Sequence, residues 1–145
     1  MRKERKKRKK IKERKESYKT LKTKAWKIFS EFIRRRGSSN GMNFCVTCGV
    51  MKNWKELQAG HFLDGRHNAV LFNPLIVWPQ CLRCNIFLKG NKVKYTLFMQ
   101  NKFGQNKVEE LLSESHRIVK LGKSDLKDII NRYTDDLNKM VPEAD

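Results

Sequence analysis

An α+β fold is predicted by three features of the 145-residue sequence: two Cys-x-x-Cys pairs at its centre, a strand-like stretch between them, and helical periodicity on either side. The pairs are Cys45-Val46-Thr47-Cys48 and Cys81-Leu82-Arg83-Cys84, separated by 32 residues, which leaves room for a β-hairpin that returns a histidine to the cluster. Four thiolates so spaced can surround one zinc ion tetrahedrally. A helix springing from the second pair, as in treble-clef zinc folds, and flanking N- and C-terminal helices complete the predicted architecture. The length suits a single core.

The N-terminal segment is expected to be a basic arm over residues 1–16, disordered or a frayed helix when free. Residues 1–36 hold 18 Lys and Arg against four Glu, or +14 of the net charge of +18, so the basic charge is concentrated at one end. Such a segment repels itself unless it lies on a polyanion, where counterion release favours binding, and nucleic acid is therefore the expected partner. A solubilising or targeting tail is the plainer alternative. A membrane is not expected, because the first ten residues carry no apolar anchor and the chain has no apolar run of spanning length. With no export signal behind the arm, the four cysteines are expected in a reducing cytoplasm, where paired cysteines are more often metal ligands than disulfides.

Residues 17–37 read as an amphipathic basic helix. Tyr18, Leu21, Ala25, Phe29 and Phe32 form one apolar stripe, with Trp26 and Ile33 beside it; Lys19, Lys22, Lys27, Arg34 and Arg35 fall largely off it; and Gly37 supplies the stop. The remainder, residues 42–145, is expected to be the zinc-bound domain. A zinc knuckle over residues 44–49 ends at Gly49, and a strand follows in which Leu57, Ala59 and His61 share one face. Residues 64–73 read as an irregular polar loop, and residues 75–78 as a second buried strand that Pro79 ends. The helix after Cys84 is interrupted at Gly90-Asn91. Three helical patterns follow, the last with Ser124 as N-cap.

A closed four-cysteine shell leaves a zinc ion no open position, so this metal is expected to be structural. The chemistry is assigned instead to His61, whose imidazole has the pKa range that suits taking a proton from water, and to Asn85, which directly follows Cys84 and whose amide oxygen suits a hard divalent cation. Asp64, His67, Asn68 and Asn73 are the further candidate ligands from the loop, each equally readable as a solvated loop residue. Arg66, Arg83, Lys89 and Lys92, with Arg34 and Arg35 on the basic helix, are expected to hold phosphates, or else to be ordinary surface charges. Trp54 suits either base stacking or the core, whereas Trp78, in its apolar run, suits the core.

Taken together, Cys45-x-x-Cys48, Ala59-Gly60-His61-Phe62, Pro79-Gln80-Cys81-x-x-Cys84-Asn85, Gly90-Asn91 and Tyr95, continuing through Lys102-Phe103-Gly104 to Glu109-Glu110-Leu111, resemble the phage NinG (Rap) recombination-protein family over about half of the chain. The resemblance implies an HNH, or His-Me finger, nuclease with a ββα-metal core. It implies Mg²⁺- or Mn²⁺-dependent phosphodiester hydrolysis of branched recombination intermediates such as Holliday junctions or flaps, with His61 as general base and Asn85 as metal ligand. If the chain is phage-encoded, it would work in the bacterial host cytoplasm, and cutting a junction on two strands implies a homodimer. Two positions depart from the pattern: Gly60 stands where many such enzymes place a second metal ligand, and Ile76 stands where the middle asparagine usually lies. The rival readings are a non-catalytic zinc-containing nucleic-acid binder and a duplex-nicking HNH enzyme.

Overall fold

The structure is a computed structural model that describes residues 15–65 and 67–140. It is a mixed α+β arrangement in the order α1 (Tyr18–Arg35), β1 (Met42–Phe44), β2 (Met51–Asn53), β3 (Gln58–His61), α2 (Asn68–Leu71), β4 (Val77–Gln80), α3 (Lys92–Phe103), α4 (Gln105–Ser115) and α5 (Lys123–Asn138). Most of the arm assigned to residues 1–16 lies outside the described residues.

Helix α1 starts where Ser17 Oγ accepts the Thr20 N–H at 3.2 Å, and Gly37 with φ +76° turns the chain away after its end. Its buried residues, Leu21, Ala25, Phe29 and Ile33, recur every four positions and make a narrow stripe. Against that stripe lies α5, with Leu126 beside Leu21 and Ala25, and Tyr133 edge-on to Phe29 at 5.0 Å. Arg36 then clamps the end of α1 to β4. Its guanidinium donates to the carbonyls of Pro74 and Val77 at 2.9 and 2.8 Å and lies 3.7 Å from the Trp78 ring centre. Burial pulls its pKa down to about 10, still far above neutrality.

The two sheets are antiparallel hairpins of two strands each. In the second, Gln58 pairs with Gln80, Ala59 with Pro79, Gly60 with Trp78 and His61 with Val77. Pro79 therefore sits within β4 and does not end it, and the strand lies at Val77–Gln80 and not at residues 75–78. A two-stranded sheet has free outer edges, where the missing N–H of proline costs nothing. The Pro79 carbonyl is used there, accepting the Val46 N–H at 3.0 Å and joining the hairpins.

Three further expectations are corrected. The loop over residues 64–73 contains the one-turn helix α2, which buries Val70 and Leu71 in the core. The segment after Cys84 is no extended helix but a single wide turn, Arg83–Phe87, closed by the Leu88 N–H on the Arg83 carbonyl at 2.8 Å. Lys89, Gly90 and Asn91, all with positive φ, swing the chain back so that Asn91 Nδ2 reaches Cys84 Sγ at 3.5 Å. Finally, Gly122 and not Ser124 caps α5, because the Asp125 carboxylate reaches back to accept the Gly122 N–H at 2.7 Å.

The main core gathers Phe29 and Ile33 of α1, Ala59 of β3, Val77 of β4, Tyr95 and Met99 of α3, Val108 and Leu111 of α4, and Tyr133 of α5. Tyr95, wholly buried, donates its hydroxyl to the Gly60 carbonyl at 2.7 Å, and burial raises its pKa so that the proton stays on. Replacing Tyr95 by Phe leaves that carbonyl short of a donor inside the core. Urea denaturation at saturating zinc is expected to show a loss of about 1–3 kcal/mol.

Candidate functional site

The four cysteines are brought to one point by different elements. Cys45 and Cys48 occupy the tip between β1 and β2, where the Gly49 N–H closes on the Cys45 carbonyl at 2.8 Å, and Cys81 and Cys84 follow directly on β4. All four sulfurs lie within 4.8 Å of one another, and they are the one such group of three or more His, Cys, Asp or Glu among the described residues. Cys48 Sγ and Cys81 Sγ are 3.7 Å apart. A tetrahedron with Zn–S bonds of about 2.3 Å has edges of about 3.8 Å, so the cluster has the size to hold a metal ion such as zinc.

The surroundings also suit thiolates. The Cys84 N–H points to Cys81 Sγ at 3.4 Å and the Asn91 amide to Cys84 Sγ. Thr47 Oγ1, which already accepts from Gln80 Nε2 at 3.2 Å, has its own proton left to give to Cys45 Sγ at 3.2 Å. Burial works against ionisation of Cys45, yet the Thr47 hydroxyl and nearby backbone N–H groups outweigh it and bring the pKa to about 6. Desolvation within the cluster and the neighbouring thiols push Cys48 up to about 12, although its residue is exposed at the cluster's outer side, and burial raises the buried Cys81 as well. At pH 7 these two thiols hold their protons until a cation displaces them.

His61, at the end of β3, and Asn85, one residue past Cys84, line one open cleft of about 450 Å³ with Asp64, Ile86, Lys89 and Lys92. His61 Nε2 stands 3.2 Å from the Leu71 carbonyl. A carbonyl can only accept, so this nitrogen carries the hydrogen and Nδ1 holds the lone pair of the neutral ring. Trp26 of α1 stacks on the imidazole, ring centres 5.3 Å apart and 17° from parallel. Asn85 Nδ2 donates to Gln58 Oε1 at 2.7 Å, which turns the carboxamide so that its oxygen is the atom left for a ligand.

The other expected site residues are placed as follows. Asp64 lines the cleft and is ion-paired to Lys92 at 3.0 Å. Lys92 also donates to the His61 and Phe62 carbonyls at 2.8 and 2.7 Å, so its three donors brace the cleft wall. His67 Nε2 is bonded to the Ser115 carbonyl at 2.9 Å, Asn68 bridges Lys22 and the Val119 carbonyl, and Asn73 accepts the Leu75 N–H in its own turn. None of these three lines the cleft. Arg83 is exposed outside it, Lys89 is on its rim, and Arg66 lies outside the described residues. Arg34 lines an adjoining hollow with Asn85, whereas Arg35 pairs with Glu31 at 3.2 Å. Trp54 is buried under Arg34 and Arg35, at 5.1 and 5.4 Å, and Trp78 packs edge-on to Phe98 at 5.4 Å.

A model of the family described as the bacteriophage lambda NinG protein matches residues 1–143. The chain belongs to the NinG family. Among curated relatives, the protein NinG of Escherichia phage lambda is 31% identical over 74 residues, and that of Escherichia phage 933W is 31% identical over the same length. Each match covers 50% of this chain but 36% of the relative, so the chain matches about a third of the length of these NinG proteins. No solved structure matches it.

Two contributors to this NinG site were missed by sequence reasoning. Trp26 sits in a helix whose periodicity signals packing, and its place beside His61 is set by the pairing of α1 with β3. Gln80 looks like an ordinary polar residue before a cysteine, but it is wholly buried and donates to Thr47 Oγ1 and to the Gly90 carbonyl at 2.8 Å. Its Oε1 faces Gly60, where any Cβ would run into it.

Two outcomes are expected. Zinc titration by calorimetry in buffers of different ionisation enthalpy should show at least two protons released at pH 7, from Cys48 and Cys81. One more should appear near pH 5, below the value of about 6 for Cys45, and zinc affinity should fall accordingly as pH falls. Gly60→Ala should cost about 1–3 kcal/mol in denaturation, and the double variant Gly60→Ala/Gln80→Ala should cost less than the sum of the single changes.

Proposed function

We propose that this chain is a divalent-metal-dependent DNA endonuclease of the HNH, or His-Me finger, class, acting on branched recombination intermediates. The ββα-metal unit would be β3, β4 and the turn after Cys84, held by a structural zinc in treble-clef fashion. The observation that carries this reading is the shared cleft of His61 and Asn85, with the imidazole fixed as the Nε2–H tautomer by the Leu71 carbonyl. Binding alone would need neither a directed lone pair nor an oriented carboxamide. The branched substrate follows from the family resemblance.

In this mechanism His61 Nδ1 takes the proton of a water lying over the scissile phosphodiester. The Leu71 carbonyl, bonded to Nε2–H, steadies the imidazolium that forms, and Trp26 keeps the ring in plane. Lys92 holds the His61 and Phe62 carbonyls and so fixes the strand end that carries the base. Lys89 and Arg34, on either side of Asn85, meet substrate phosphates. The Asn85 carboxamide oxygen and the Asp64 carboxylate would hold Mg²⁺ or Mn²⁺, completed by waters and phosphate oxygens. When bound, that ion draws charge from the phosphate and the leaving oxygen.

A non-catalytic zinc-containing nucleic-acid binder is the second reading. The Asp64–Lys92 ion pair favours it, since it occupies the one carboxylate that lines the cleft among the described residues.

The test is incubation of junction, flap and linear duplex DNA with Mg²⁺. The wild-type protein is expected to cut branched DNA, and His61→Ala to lose about 10²–10⁴-fold in rate while binding DNA unchanged. Wild-type cleavage by a folded His61→Ala protein would refute the role of the base. Equal cutting of linear duplex would point to a duplex-nicking enzyme.

A further inference from the structure

Three hollows lie in a row along one side of α1 and share Trp26. The first, of about 410 Å³, is lined by Lys19, Lys22, Thr23 and Leu71 as well as Trp26. The second is the His61 cleft. The third, of about 310 Å³, runs on past Ser30 and Arg34 and shares Asn85 and Ala59 with the second. Each has the volume of a small-ligand pocket, of about 300–1,000 Å³. The helix face that walls them, Lys19, Lys22, Trp26, Ser30 and Arg34, adjoins the buried stripe and follows helical spacing.

The chemistry of this row is that of a polyanion track. Arg34 is half-buried, stacked on Trp54, and uses Nε on the Ser30 carbonyl at 3.2 Å; its two terminal nitrogens carry no hydrogen bond among the described residues. Burial holds its pKa below the ordinary guanidinium value. A desolvated guanidinium with unused donors is strongly suited to a phosphate, which its planar fork can take in two hydrogen bonds. At the other end Lys19 is exposed, and Lys22 makes one long hydrogen bond, to Asn68 Oδ1 at 3.4 Å, with its ammonium 6.0 Å from the Tyr18 ring centre. From Lys19 to Arg34 is 15 residues, a rise of about 22 Å, or about six nucleotides of one strand.

We propose that α1 and the β3–β4 unit form a groove for a single DNA strand, with Lys19 and Lys22 gripping phosphates on one side of His61 and Arg34 on the other. Trp26 is a positioning residue at its midpoint, underlying the imidazole. The proposal rests on the nuclease reading for the direction of the strand past His61, but the groove itself is tested by binding. A basic helix in a DNA-binding protein could also lie across a duplex backbone, and the experiment separates the two.

Binding of a fluorescent 12-nucleotide single strand and of the matching duplex is measured by anisotropy between 50 and 300 mM salt, with no divalent ion added. The proteins are the 145-residue chain, Lys19→Gln/Lys22→Gln/Arg34→Gln, and a control of equal charge change, Lys94→Gln/Lys123→Gln/Lys139→Gln, whose residues line none of the hollows. Three lost phosphate contacts should lower the single-strand salt slope by about 2 and weaken binding at least tenfold at low salt, while the control stays within twofold. Equal behaviour of the two triple variants, or a loss seen on duplex alone, would overturn the proposal. If Arg34→Gln unfolds the protein, Lys19→Gln/Lys22→Gln should still lower the slope by about 1.4, and an unchanged slope there would overturn it. A fallen slope in a protein that cuts no DNA would keep the groove and remove the nuclease; cleavage with an unchanged slope would do the reverse.

Discussion

The centre of this molecule is organised on four sulfurs converging within 4.8 Å of one another, where Cys45 gives up its proton readily and Cys48 and Cys81 resist. The two hairpins meet through the Val46 N–H on the Pro79 carbonyl, through Gln80 Nε2 on Thr47 Oγ1, and through the cysteine cluster with Leu57 packed into it. Cys48 and Cys81 hold their protons at pH 7 while Cys45 is charged, so without a cation the cluster is a set of soft contacts around one thiolate. A divalent ion such as zinc would turn those contacts into bonds, a change that in small zinc modules amounts to roughly 10–16 kcal/mol of folding free energy. That exceeds what single hydrogen bonds of about 1 kcal/mol each supply elsewhere in the chain.

The cluster in turn sets the cleft. Asn85 is placed because it follows Cys84 in a turn too tight to slide, and Gln58 then fixes which way its amide faces. His61 is held by different means: a strand end, the Leu71 carbonyl on one edge, the Trp26 ring on its face, and the Lys92 ammonium on its backbone. Helix α1 therefore belongs to the site as much as to the core, presenting Phe29 and Ile33 inward and Trp26 to the histidine. α5 has no residue in the cleft and contributes by holding α1 in place.

What the sequence made legible follows local rules. The cysteine spacing gave the cluster, and the apolar stripe gave α1 down to its stop at Gly37. Where the reading went astray, a contact distant in sequence decided the outcome. Pro79 suggested a strand end until its position on a free sheet edge made the missing N–H harmless. The turn after Cys84 could not be told from a helix without the Asn91 and Gly90 contacts that pull it back. Asp64, His67 and Asn73 were alike as polar loop residues, and only the placement of α2 against α4 sent His67 to the Ser115 carbonyl and left Asp64 beside the cleft. The match to the NinG family spans nearly the whole chain, whereas the curated sequence matches cover half of it.

Gly60 sits between two buried partners, with Tyr95 gripping its carbonyl and the Gln80 carboxamide filling the space a side chain would need. Gln80 also touches Thr47, the residue that steadies Cys45, so the position next to the histidine and the thiolate cage are neighbours through a single side chain. The absence of a ligand before His61 is thus built into the packing. A larger side chain at position 60 would displace the Gln80 carboxamide and with it a tie to the cage, so metal-ligand chemistry at this position and the support of Cys45 compete for the same space.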